Sequence, residues 1–144
     1  MPPVEERFST ALHSTARSWR LAVDRRLKDL GLSQAGWMTV AMAAKAKEPL
    51  SQIELANRVG VEGATMVAML DRLARDDLVE RQPSPTDRRV KLVVLTPAGS
   101  ALYDKVRTEA ATVRKKLLAG IDAKQLLAAT ELLEQLQQLL DDAP

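Results

Sequence analysis

The chain has 144 residues, 46% apolar and 28% charged, the size and balance of one globular domain with a real core. Its aromatics are two Trp, one Tyr and one Phe, so Leu, Ala, Val and Met must build that core, which suits helices more than a large sheet. No cysteine and a single histidine exclude disulfides, thiolate or histidine-rich metal sites and cysteine catalysis, while a net charge of +2 hints only faintly at nucleic acid. No run approaches the roughly 18 apolar residues of a membrane span. The opening MPPVEERFST is acidic and polar rather than basic and then apolar, so the expected location is the cytoplasm.

The first predicted helix carries Phe8, Leu12, Ala16, Trp19, Val23, Leu27 and Leu30 at three- and four-residue steps. Gly31 stops it, and Ser33 caps a second helix to about Lys47, which Pro49 breaks. Leu50-Ser51 opens a short third helix, with Ser51 as N-cap and Glu54 at the capping-box spacing. Val59-Gly60-Val61 reads as a tight turn. A longer helix follows from about Glu62 to Asp76, its inner stripe formed by Met66, Met69, Leu70 and Leu73.

The texture changes at Leu78. LVER is a short strand, QPSPTDRR a Pro- and charge-rich turn and VKLVVLT a second strand, together a β-hairpin. Thr96 caps a helix with Pro97 at its first position, running to about Ala119. Gly120 ends it, and Asp122 caps the last helix. That helix carries Leu126, Leu133, Leu136 and Leu140, widened by Leu127, Leu132 and Leu139. So broad an apolar face needs another helix to cover it. The expectation is a homodimer through the termini, with Phe8, Leu12, Leu126, Leu133, Leu136 and Leu140 at its interface; a purely intramolecular bundle is the alternative.

Residues 52–70 fit a helix-turn-helix where geometry restricts the residue. Ala56 sits at the close crossing of two helices, and Gly60 falls at the turn where a positive φ suits glycine. A β-hairpin directly after the second helix is the order of a winged helix. The expected fold is thus mainly α with a small β-hairpin wing. A winged helix-turn-helix core over residues 50–96 is flanked by dimerisation helices in residues 1–47 and 97–144, all in one domain.

Between residues 51 and 95 seven basic residues meet seven acidic ones, so any DNA contact depends on where the charges stand. In a winged helix the second helix enters the major groove. With Met66, Leu70 and Leu73 inward, Ala64, Ala68, Asp71 and Arg75 point outward, flanked by Thr65 and Arg72. Ala64 and Ala68 either touch thymine methyls or are simply good helix formers. Arg72 and Arg75 either meet phosphate or pair with Asp71, Asp76 or Asp77. Ser51 and Gln52 start a helix, where phosphate is commonly met. Arg88 and Arg89 stand just before a strand, whose alternation would send them to opposite sides, one to a narrow minor groove and one to phosphate. Asp87 would repel phosphate if free, so it is expected to brace an arginine.

SQIELANRVGVEG, LDRLARDDLVER and PSPTDRRVKLVVLTPAG, with flanking helices in order, resemble the MarR family of bacterial winged-helix transcriptional regulators, and within it the SlyA-like branch. The likeness spans essentially the whole chain. It implies a two-fold dimer on a palindromic operator, a repressor often released by small aromatic or phenolic anions, and no cofactor. By resemblance Arg89 occupies the position usually placed in the minor groove, with Arg88 beside it. Ala68 stands where SlyA-like proteins often carry a basic residue, so their operator sequence does not carry over. In the resembled family effectors lodge where the dimerisation helices meet the DNA-binding module. There this chain offers His13, Arg17, Arg20 and Trp37, two guanidiniums and an indole suited to a flat aromatic carboxylate; the alternative is that both Trp residues pack in the core and the arginines are solvated or pair with acids. The rival reading is a winged helix that binds protein without reading DNA. An enzyme is not expected: His13 and Asp24 do not share a helical step, and no nucleophile arrangement or phosphate loop is present.

Overall fold

A computed structural model describes residues 1–144. In chain order it contains α1 (Val4–Leu27), α2 (Gln34–Lys45), β1 (Leu50–Ser51), α3 (Gln52–Val59), α4 (Gly63–Arg75), β2 (Val79–Pro83), β3 (Lys91–Leu95), α5 (Pro97–Leu118) and α6 (Ala123–Asp141). By contacts the chain divides into two compact units, Met1–Val113 and Arg114–Pro144.

In the first unit, α1 tightens into a single 3₁₀ turn over Lys28–Leu30 and stops at Gly31, whose φ of 75° is left-handed. The Gly31 N–H returns to the Lys28 carbonyl, satisfying an acceptor left open at the helix end. Ser33 begins α2 by accepting the Gly36 N–H at 3.1 Å. One core cluster joins α2, α3, α4 and the sheet through Val40, Leu50, Leu55, Met66, Leu70 and Val93. A second joins α1 to α5 through Val23, Leu27, Val106 and Val113, with Trp19 and Trp37 packed against it. Arg26 and Glu109 form an ion pair between α1 and α5 at its edge.

The sheet has three antiparallel strands in the order β1-β3-β2, one more than the expected hairpin. Leu50 pairs with Val93 and Ser51 with Leu92, while β2 pairs with β3 from Val79↔Leu95 to Pro83↔Lys91. Leu50 precedes the helix N-cap, where the backbone is extended, and its buried side chain holds it against Val93. A two-residue strand shows no alternation, so only the tertiary pairing defines it. The base of the hairpin is tied to α5: Thr96 N–H bonds to the Leu78 carbonyl at 3.1 Å, and the Thr96 hydroxyl accepts the Gly99 N–H at 3.0 Å.

The second unit is mostly α6, begun by Asp122, whose carboxylate accepts the Gln125 N–H at 3.1 Å. None of its residues is buried. Leu127, Leu132, Leu133, Leu139 and Leu140 are exposed, and Leu126 and Leu136 are half-buried. No helix in the protein is long and apolar enough to cross a membrane.

Candidate nucleic-acid interface

Two short helices and a turn set the geometry. Ser51 and Glu54 complete the capping box: the Ser51 hydroxyl accepts Glu54 N–H at 3.1 Å, and the Glu54 carboxylate accepts Ser51 N–H at 3.2 Å. Ser51 N–H and an acceptor site on its hydroxyl are thereby used in the cap, and the residue is buried, with Gln52 beside it half-buried. Gly60 turns the chain at φ 84°, with its N–H and that of Val61 both returning to the Ala56 carbonyl. Ala56 is buried at the crossing, where a larger side chain would push the helices apart.

The inner face of α4 buries Met66, Met69, Leu70 and Leu73 as the periodicity requires. Ala64, Thr65, Ala68, Asp71, Arg72 and Arg75 are all exposed, joined by Val67, an apolar residue the sequence reading did not single out. Asp71 does not pair with Arg72 or Arg75. Its carboxylate takes Arg81 from β2 at 2.8 Å. Neither Arg72 nor Arg75 forms an ion pair, so both guanidiniums stand free on the face of α4.

The wing corrects one expectation. Arg88 and Arg89 lie in the expected turn before the strand, but Val90 N–H closes that turn onto the Asp87 carbonyl at 3.0 Å and β3 begins only at Lys91. Strand alternation therefore does not set their directions; the turn does. A bond from Ser84 N–H to the Val90 carbonyl, 2.9 Å, seals the loop. Asp87 does brace an arginine, and that arginine is Arg89. One carboxylate oxygen accepts the Arg89 backbone N–H at 3.0 Å and Nε–H at 3.2 Å, and the other accepts Nη2 at 3.3 Å. These bonds hold the Asp87 carboxyl below its ordinary 3.8. The Arg89 side chain is 90% exposed, so the brace orients it without covering it. Arg88 is exposed and makes no ion pair.

Of the residues expected to receive a small anion, three lie on α1 and one on α2. His13, Arg17 and Arg20 are exposed on α1, with Arg20 Nε–H turned back to the Ala16 carbonyl. Trp37 on α2 is half-buried against the second core cluster, and its Nε1–H is buried with no acceptor. A cavity of about 380 Å³ opens elsewhere, between the end of α2, β3 and the start of α5, lined by Lys47, Val93, Leu95, Ser100, Tyr103 and Asp104 among others. At the chain's start a groove of about 610 Å³ runs past Val4, Arg7, Phe8 and Ala11. Of the residues expected in the dimer interface, Phe8 is exposed and Leu12 half-buried.

The reading missed Arg81. A signal existed: Arg81 follows buried Val79 by two residues, which on a strand puts both on one face, and that face looks onto α4.

Three helices with a turn between the second pair, closed by a three-stranded wing, define a winged helix-turn-helix protein. The MarR family model matches residues 32–91. The chain is 40% identical to the transcriptional regulator PA3341, covering 94% of this chain and 99% of that one, with a TM-score of 0.85. It shares its fold with a mutant MarR from E. coli complexed with operator DNA (23% identity, 89% and 91% coverage, TM-score 0.74). It also shares it with CouR from Rhodococcus jostii RHA1 bound to p-coumaroyl-CoA (20%, 94% and 95%, TM-score 0.77). The chain belongs to the MarR family.

Proposed function

We propose that the protein is a sequence-specific DNA-binding transcriptional regulator, a homodimer on a pseudo-palindromic operator. The observation that carries this reading is the set of cations placed on one module. Arg72 and Arg75 stand unpaired on the exposed face of α4, and Arg88 and the braced Arg89 stand exposed at the wing. Ala64, Thr65 and Ala68 of α4 would face base edges in the major groove, with Gln52, Arg72 and Arg75 on phosphate. Arg89 would enter the minor groove, its orientation set beforehand by Asp87, so less side-chain freedom is lost on binding. That a mutant MarR from E. coli of the same fold is complexed with operator DNA supports the DNA-binding reading.

The second copy would cover α6 and the start of α1, where Phe8, Leu133 and Leu140 are exposed. Residues 1–47 and 97–144 would thus mainly dimerise, and residues 50–96 bind DNA. Within that reading the protein is a repressor released by a small aromatic or phenolic anion received by His13, Arg17, Arg20 and Trp37. The unpartnered Trp37 Nε1–H would gain an acceptor there, and the p-coumaroyl-CoA bound by CouR is a phenolic precedent.

The test is selection of bound duplexes from a random pool by the purified protein. A palindromic sequence should emerge, with half-sites about one helical turn apart. Inserting five base pairs between the half-sites rotates one by about half a turn and should abolish tight binding. A pool that enriched no sequence would leave a winged-helix module that binds protein instead. Undiminished affinity after insertion would refute the dyad.

A further inference from the structure

Within α4, GATMVAMLDRLAR, the single carboxylate is Asp71, and it lies on the exposed face. Left free it would repel phosphate beside Arg72 and Arg75. One terminal nitrogen of Arg81, Nη2, deals with it: it lies 2.8 Å from Asp71 Oδ1 in an ion pair and donates to the Val67 carbonyl at 3.0 Å. Val67 and Asp71 are four residues apart, so the guanidinium spans one turn of the helix.

Its base is equally fixed. Arg81 pairs in register with Val93, a fully buried residue of the central strand β3. The Arg81 side chain is 25% exposed, and its Nε–H is buried with no acceptor. Low exposure and the contacts to Asp71 and Val67 seat the guanidinium against α4 rather than in solvent, despite the cost of that one unsatisfied N–H. We propose that Arg81 is a positioning residue for DNA recognition: it fixes α4 against the wing and holds the Asp71 carboxylate off the phosphates.

The physical argument is one of registration. A winged helix reads two grooves at once, so α4 and the wing must keep one relative placement. The ion pair to Asp71 and the hydrogen bond to the Val67 carbonyl link the β2 arm of the wing directly to α4.

The inference rests on the DNA-binding reading, and the experiment separates the two. Affinity is measured for the selected operator and for a scrambled duplex of equal length, with Asp71→Asn, Arg81→Met and the double variant. Arg81→Met keeps the aliphatic stem but frees the Asp71 charge, so both affinities fall, the operator's by about tenfold more. Adding Asp71→Asn removes the repulsion and restores affinity for the scrambled duplex, while the operator-to-scrambled ratio stays low. Asp71→Asn alone changes a half-exposed surface side chain and should fold. It raises scrambled-duplex affinity and lowers the ratio several-fold. Arg81→Lys keeps a positive charge for Asp71 but lacks the guanidinium's shape, so scrambled-duplex affinity should return toward wild type while the operator-to-scrambled ratio stays below it.

A merely structural role would reduce both affinities in proportion to the folded fraction and leave the ratio untouched. A wild-type ratio in Asp71→Asn and Arg81→Met therefore overturns the proposal. If the wild-type protein itself cannot distinguish operator from scrambled duplex, the DNA-reading function fails instead.

Discussion

Gly99→Ala tests whether the joint between the wing and α5 is as tight as the structure has it. A Cβ at Gly99 would land on the Leu78 carbonyl oxygen, with the Leu78 carbonyl carbon at 3.0 Å and Leu95 Cβ at 3.4 Å. The obstacle is backbone, which cannot rotate aside as a side chain could. The same Leu78 carbonyl accepts Thr96 N–H at 3.1 Å, so α5 cannot retreat without stretching that bond. Overpacking of this kind costs about 1–3 kcal/mol, and losing the hydrogen bond adds about 1 kcal/mol. Alanine's better helix propensity returns about 1 kcal/mol. The expected net loss is about 1–3 kcal/mol, a fall of roughly 4–10 °C in Tm for a chain of this size. Thermal unfolding followed by helical circular dichroism, at one fixed protein concentration because a dimer melts by mass action, measures it. Gly120→Ala is the matched control. Nothing lies within 4 Å of a Cβ there, so that change should be neutral or stabilising by about 0.4–1 kcal/mol. If both variants melt within about a degree of wild type, the tight joint is refuted.

Three further outcomes are expected. The double change Leu133→Glu with Leu136→Glu puts carboxylates on the apolar face of α6, so sedimentation should show monomers and operator binding should vanish; a variant that still sediments as a dimer argues against that interface. Arg89→Ala should cost about 1–3 kcal/mol of operator binding, most on A·T-rich flanks with their narrow groove, whereas Arg75→Ala should weaken all duplexes alike and reduce the salt slope by about 0.9. Equal, sequence-independent losses would show that the wing touches only phosphate. Asp87 has its carboxyl pKa lowered by the Arg89 side-chain and backbone bonds, so its contribution is complete above the ordinary 3.8 and fades as pH falls through the lowered value. The Arg89 Nε–H resonance should hold steady from neutral pH down to that value and shift only below it; a midpoint well above 3.8 would contradict the brace.

The helices, their caps and the inner face of α4 were legible because each rests on local rules. Ser33, Ser51 and Asp122 cap by a side-chain oxygen reaching N–H groups three residues on. Met66, Met69, Leu70 and Leu73 are buried because a 3.6-residue period sends them to one side. Gly31 and Gly60 stop helices because their backbones turn left-handed. What the chain alone left open was every choice among partners distant in sequence. Asp71 had Arg72 and Arg75 as candidate partners nearby in sequence, and only the packing of β2 on α4 selects Arg81, ten residues on. The directions of Arg88 and Arg89 were expected to follow strand alternation, but the Asp87–Val90 turn sets them instead. Leu50-Ser51 becomes a strand only because Val93 is waiting for it across the sheet. Periodicity and capping are short-range and are written into neighbouring residues, whereas ion-pair choice and strand pairing are settled by which surfaces the folded core brings within reach.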